Sequence, residues 1–266
     1  MEGNDITELY LSRLASVEEN YSAAAAALGE EKLSGREELE KVLLNAAPGS
    51  YRIFISDEER GCTPADEIAE VFRSVSQKRP EITVELTTDE FLNLIDSGAR
   101  LTAKSKPRSL VHRDGDLHPA VHVWIIKRRD MGVYVLLQKR ADMKDTDPGC
   151  YDVSVAGHLA QGDEFRSAAV RETKEELGIQ LHGSQLRHIG NLEAHSSTPE
   201  GLIDNEYVAV YIYRDSIDED ALRLKPDEVS EVCWAEVDEL LAVMDDEDFP
   251  NCIDPRELAM IKKAVF

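Results

Sequence analysis

Cysteine is scarce in this chain: four residues in 266, at Cys62, Cys150, Cys233 and Cys252, with no Cys-x-x-Cys pair. Scattered in this way, they are expected to be reduced thiols in a cytoplasmic protein. Long apolar runs are also missing. The longest stretch, Ala23–Ala27 with Leu28, falls well short of the roughly 20 residues that span a bilayer and reads as helix. The first residues, Met1–Asp5, have neither the basic nor the apolar region of a signal peptide, and Ala264-Val265-Phe266 carries no familiar address. No association with a membrane is expected. Basic residues are outnumbered, 30 Lys and Arg against 53 Asp and Glu, for a formal net charge of −23. That balance argues against a general nucleic-acid binder, because phosphate neutralisation needs clustered cations. Internal repeats are absent too. What is present is 42% hydrophobic residues, enough for a packed core, which excludes global disorder.

A polar joint near Thr102–Arg108, with Lys104, Ser105, Lys106 and Pro107, divides the chain into 1–106 and 107–266, both reasonable domain lengths. The first part reads as a small α/β unit. Asp5 is placed to cap a helix toward Leu28. Ser34 with Glu37 forms a capping box for a helix toward Leu44. Tyr51–Ile55 and Glu81–Leu86 read as strands. Thr63-Pro64 starts a helix whose Ile68, Val71, Phe72 and Val75 share a face. Thr87 with Glu90 opens a further helix that Gly98 ends. No catalytic constellation occurs there, and a docking or substrate-shaping role is expected.

In the second part, Val121–Ile126 and Val133–Leu137 are spaced as a hairpin. Further strands are expected at Tyr151–Val155, Leu186–Glu193, Glu206–Tyr213 and Glu231–Trp234, with helices from Glu164 to Leu177 and Asp254 to Lys263. Trp234 reads as a core residue of the last strand. The acidic runs Asp218–Asp220 and Asp245–Asp248 read as loop surface.

The chemistry lies in the segment from Gly157 to Ile179. A helix advances about 100° per residue, so Glu176 lies about 40° to one side of Glu172 and Glu175 about 60° to the other. Three carboxylates share one face, and Arg171 stands four residues before Glu175, where the two can pair. Like charges so close destabilise an isolated helix unless something neutralises them. A hard divalent cation does so, and it bridges to substrate phosphates. Ala168, Ala169, Thr173 and Leu177 give the opposite face to pack, and Gly178 supplies the C-cap.

This segment resembles the Nudix box, Gly-x5-Glu-x7-Arg-Glu-U-x-Glu-Glu-x-Gly-U, with U a bulky aliphatic. Gly157, Arg171, Glu172, Glu175, Glu176, Gly178 and Ile179 match. Asp163 replaces the first glutamate and Thr173 an aliphatic. The resemblance extends over Arg108–Phe266 and implies a mixed sheet in an α/β/α sandwich, preceded by the small N-terminal α/β domain.

Within the family, the flanking residues are similar to the branch of isopentenyl-diphosphate isomerase: His118-Pro119-Ala120-Val121-His122-Val123-Trp124, Leu136–Arg140, Lys144 through Pro148-Gly149, Ser154–His158, and Asp204-Asn205-Glu206. The isomerases carry their catalytic cysteine where this chain has Ala156. Their other metal-site positions correspond to His112, one residue out of spacing, His118, His158 and Glu206, with Asp204 for a glutamate. Pro119 replaces an arginine common in the branch. The isomerase moves a proton across a carbon–carbon double bond, which alanine cannot do.

The resemblance therefore implies a hydrolase of a diphosphate linkage in a small organic or nucleotide substrate. The isomerase and a non-catalytic Nudix-fold binding module are the alternatives. Glu172, Glu175 and Glu176, with the Gly157 carbonyl, would hold Mg²⁺, or alternatively Mn²⁺. Glu175 is the first choice of base, ahead of Glu176 and Glu206, with Arg171 as its orienter. Arg140 and Lys144 would grip the diphosphate, with His118 and His158 at the substrate site. His112 and His122 read equally as packed or solvated side chains. His182, His188 and His195 are expected to be bland, although His195-Ser196-Ser197 falls in an expected loop over the cleft. By analogy with the fold, a homodimer is left open.

Overall fold

A computed structural model describes residues 6–57, 62–129, 132–144, 146–199 and 201–265. The chain forms two compact units, residues 1–92 with 105–111 and residues 93–104 with 112–266.

The first unit is a parallel three-stranded sheet in the order β1-β2-β3, with its helices packed on one hydrophobic core. The elements run β1 (Ile6–Leu11), α1 (Val17–Leu28), α2 (Arg36–Asn45), β2 (Gly49–Ser56), α3 (Pro64–Lys78) and β3 (Ile82–Asp89). Expectation and structure differ at the start. Ile6–Leu11 is a strand paired with β2, and α1 begins only after Ser16, whose capping box with Glu19 fixes the helix start. Asp5 lies outside the described residues. Helix α2 is capped at Gly35, while Ser34 bonds Glu38 rather than Glu37. Helix α3 starts at Thr63-Pro64 as expected, and Ile68, Val71, Phe72 and Val75 are buried together.

The helix expected from Thr87 to Gly98 does not form. Strand β3 runs on to Asp89, and β4 (Phe91–Ile95) pairs with β5 (Leu101–Pro107). The turn between them is held by Asp96, whose Oδ1 accepts from the Gly98 and Arg100 amides. A side chain that satisfies backbone donors in a turn competes directly with helix formation. The polar joint is thus strand followed by helix α4 (Arg108–Asp114).

The second unit is built on a sheet in the order β10-β11-β6-β7-β12. Its elements are β6 (Leu117–Arg129), β7 (Gly132–Arg140), β8 (Tyr151–Asp152), β9 (Val155–His158), α5 (Phe165–Leu177), β10 (Arg187–Ser197), β11 (Ile203–Tyr213), β12 (Val229–Glu236), α6 (Val237–Val243) and α7 (Pro255–Val265). Strand β8 joins β7 and β9 joins β6. The β6–β11 pair is parallel; the other pairs are antiparallel. Strand alternation divides β6 between two cores. Ala120, Trp124 and Ile126 pack with Leu240, Leu258 and Ile261 of α6 and α7. Val121, Val123 and Ile125 pack with Ala168, Ala169 and Leu177 of α5. The result is an α/β/α sandwich. Among the described residues no helix is long and apolar enough to cross a membrane.

Some local expectations change. His195-Ser196-Ser197 belongs to β10 rather than to a loop. Trp234 is only half-buried: its Nε1 donates to Glu219 at 2.8 Å and Lys127 Nζ lies 3.4 Å from its ring centroid. The fully buried tryptophan is Trp124.

Candidate active site

Helix α5 begins after Glu164, which exchanges hydrogen bonds with Ser167, and ends at Gly178, whose φ of 73° makes a left-handed C-cap. Near its middle, Arg171 is the hub of the carboxylates. Its Nη1 donates to Glu172 Oε1 at 2.7 Å and to Glu175 Oε2 at 3.3 Å. Its Nη2 donates to Asp163 Oδ2 at 2.8 Å and to the His158 carbonyl at 3.1 Å. Asp163, shorter than the glutamate of the box, still reaches this guanidinium. Burial alone would push the Arg171 pKa down, but Glu172, Asp163 and Glu175 together raise it.

The strand and the helix meet at Gly157. A Cβ added there would lie 2.2 Å from Glu172 Cδ, so any side chain at this position would evict the carboxylate. Thr173, in place of an aliphatic, is buried and returns its hydroxyl to the Ala169 carbonyl at 2.6 Å.

Glu176 is 4% exposed, and its Oε2 has no hydrogen-bond partner. Burial pushes its pKa well above the usual carboxylate value, and repulsion from Glu172 and Glu228 adds to the shift. Lys144 counters this, but its ammonium is paired to Glu228, which also takes Lys225 at 3.3 Å. Arg140 is likewise engaged: Nη1 meets Asp152 at 3.1 Å, and Nη2 meets the Thr146 carbonyl at 2.9 Å. Both cations are thus held by protein partners at the base of the loop between β7 and β8.

On the sheet face away from α5, four side chains converge. One ligand atom from each of His112, His118, His158 and Asp204 lies within 4.8 Å of the others. The three imidazole ring centroids lie 5.2, 5.5 and 5.0 Å apart. His118 Nδ1 bonds the Asp116 carbonyl at 2.9 Å, so that nitrogen carries the proton in the neutral ring and Nε2 keeps its lone pair for the cluster. His118 Nε2 lies 3.3 Å from Asp204 Oδ1, yet neither buried atom completes a hydrogen bond. Burial lowers the His118 pKa; Asp204 and Glu206 outweigh it and raise it. Glu206 pairs with His118 in the β6–β11 register, and its Oε1 is 3.2 Å from His158 Nε2.

The proposed residues therefore gather into two adjoining groups joined through His158. Arg171, Glu172 and Glu175 form the first, with Glu176 behind them and Gly157 beneath. His118, His158 and Glu206 join His112 and Asp204 in the second. Glu228 and Asp152, which hold Lys144 and Arg140, carried no sequence signal, since their roles arise only where distant segments meet. His188 bonds Asn191 at 2.8 Å, His195 bonds Asn205, and His182 lies on the surface. The four cysteines are free.

Residues 116–253 match the model of the NUDIX domain. An uncharacterized Nudix hydrolase of Clostridium acetobutylicum is 36% identical over 157 residues, covering 59% of this chain and 75% of that protein. Isopentenyl-diphosphate Delta-isomerase of Cutibacterium acnes is 31% identical over 150 residues, covering 55% and 73%. A crystal structure of a Deinococcus radiodurans protein superposes with a TM-score of 0.50 at 19% identity, covering 65% of this chain and 98% of that one, and supports the fold. With more than half its length matched, this chain belongs to the NUDIX-domain family, as a hydrolase acting on pyrophosphate bonds with the isomerases as a related branch.

Proposed function

We propose that the protein is a Mg²⁺-dependent hydrolase of a diphosphate linkage in a small organic or nucleotide substrate, with Mn²⁺ as the alternative ion. The observation that carries this reading is the buried, under-satisfied Glu176 beside the Arg171–Glu172–Glu175 cluster. A carboxylate removed from water without partners is costly, and a cation is the partner this donor set fits. Glu172, Glu175, Glu176 and the Gly157 carbonyl would hold it. His112, His118, His158, Asp204 and Glu206 would hold a second, more nitrogen-rich site. A divalent cation supplies neutralisation of phosphate charge and acidifies water.

The chain's own residues do the rest. Glu175 is the proposed base: its side chain is 45% exposed, within reach of entering water, and Arg171 fixes its direction. Arg171 also keeps Glu172 aligned with Gly157. Water attacks one phosphorus, the bond to the bridging oxygen breaks, and the proton passes to the carboxylate. Lys144 and Arg140 would meet the phosphates, Lys144 by exchanging its Glu228 partner. Ala156 offers no transferable proton, which favours hydrolysis over isomerisation.

The test is a mass-spectrometric product screen with Mg²⁺ over nucleoside diphosphate sugars, dinucleotides, nucleoside triphosphates and isopentenyl diphosphate. The expected result is EDTA-sensitive release of phosphate or a monophosphate. Allylic isomer formed without phosphate release would restore the isomerase. Metal binding without turnover across the panel would favour the binding module.

A further inference from the structure

Beyond the two metal-ligand groups, the same face of β6 carries an ion pair that the mechanism leaves unused. Glu257, in the first turn of α7, is fully buried. Its two oxygens take Trp124 Nε1 at 2.6 Å and His122 Nδ1 at 2.7 Å. A buried carboxylate is expensive even when paired, and apolar residues of similar volume often serve stability as well. A pair kept beside the candidate site therefore calls for a use.

The ring is placed to have one. Strand pairing sets His122 opposite Ala156, one residue from Gly157. Nδ1 abuts the buried Glu257, yet the His122 side chain is 15% exposed, so its open edge is the one bearing Nε2. The charged groups that act on it are Glu257, Glu206, Asp152 and Asp254. Asp152 holds Arg140 and Glu206 holds His158, so charges that act on His122 belong to the candidate site itself. Burial would lower its pKa; Glu257, then Glu206 and Asp152, push it up to about 10. At neutral pH the ring is a fixed cation with Nδ1–H given to Glu257 and Nε2–H available.

We propose that His122, clamped by Glu257, is an anion-contacting residue that donates Nε2–H to a phosphate oxygen of the substrate across from Ala156. This rests on the reading above that the cleft takes a phosphate-containing substrate, and it sharpens that reading. The methyl group of Ala156 leaves room across from the ring, and a cationic donor suits an anion in that place rather than a hydrocarbon. Glu257 is then a positioning residue that fixes the tautomer and the charge of the ring.

The test follows the histidine ring signals by ¹⁵N NMR while inorganic pyrophosphate with Mg²⁺ is titrated into the full chain, with His122→Gln assigning the resonances. The His122 Nε2 signal should start as imidazolium and shift at saturation. His122→Ala should weaken pyrophosphate binding about tenfold, and His122→Gln, which keeps a donor without the charge, should fall between it and the wild type. Glu257→Gln should move the ring toward the neutral form and weaken binding in parallel. Should that variant fail to fold, the substitutions at His122, whose side chain is 15% exposed, still decide. Pyrophosphate that binds with the His122 signal unmoved and His122→Ala unaffected would overturn the proposal. Wild type that binds no pyrophosphate would overturn it too; EDTA-sensitive hydrolysis in the product screen would then show that the hydrolase reading survives alone.

Discussion

The two units treat buried polar groups differently. In the N-terminal unit, Asn20 is nearly inaccessible, yet its amide closes a reciprocal pair with Ser12, donating to the Ser12 carbonyl at 2.9 Å and accepting its amide at 3.1 Å. Ser56 accepts the Arg13 amide at 2.7 Å. Among the described residues, the buried side-chain atoms without a hydrogen bond all belong to the other unit, and they include Glu176 Oε2, His118 Nε2 and Asp204 Oδ1. Both units pay for desolvating polar atoms, but one recovers the cost within its own fold. The acceptors left unmet in the packed interior of the second unit are the ones the proposed cations would take.

The largest effect that would break this contrast is on turnover. Glu172→Gln should lower kcat/KM by about 10²–10³-fold, ~3–4 kcal/mol of barrier, with circular dichroism unchanged. Activity that survives would remove the carboxylate cluster from the site. Next comes metal-linked stability. Mn²⁺ at a hundredfold excess over Kd should add about 2.7 kcal/mol to wild type, read by denaturant melts. His118→Ala should lose much of that gain, and an equal gain in both proteins would place the ion elsewhere.

A third effect sharpens the contrast through pH. The Glu176 pKa is raised in the fold from its ordinary 4.5, so the native state holds this proton more tightly than the unfolded chain. Without metal, stability should therefore fall as pH rises above about 4.5, by at most ~1.4 kcal/mol per unit from this one group. Glu176→Gln should flatten that part of the profile while abolishing turnover. A profile identical to wild type would mean that the carboxylate is not confined as described.

How much of this was legible in the sequence follows the range of the interactions. The box helix could be read because its logic is local: periodicity puts Glu172, Glu175 and Glu176 on one face, and Gly178 ends it. The need for Gly157 came from the resemblance, and its cause, the approach of Glu172, is visible only in three dimensions. Strand β1 is hidden from a local reading because Asp5 imitates a helix cap, while Ser16 and Glu19 form the actual capping box. The Thr87–Gly98 segment is equally deceptive, because Thr87 and Glu90 imitate a capping box while Asp96 commits the backbone to a turn. Glu228, Asp152 and Glu257 were invisible because each gains meaning only from a partner at least a dozen residues away.

The smallest effect tests the other side of the contrast. Thr63 and Asp66 close the capping box of α3: Thr63 Oγ1 donates to Asp66 at 2.6 Å, and the Thr63 amide donates to the same carboxylate at 3.0 Å. Asp66 also takes Arg13 Nη2 at 2.9 Å, so the cap ties the helix start to the segment after β1. This is polar chemistry spent wholly on structure. Thr63→Ala should cost about 1 kcal/mol in denaturant melts and leave both kcat/KM and the Mn²⁺-linked gain unchanged. A fall in kcat/KM at unchanged stability would mean that the N-terminal unit shapes the reaction directly, because a helix cap acting only on folding has no route to the transition state that spares the melting curve.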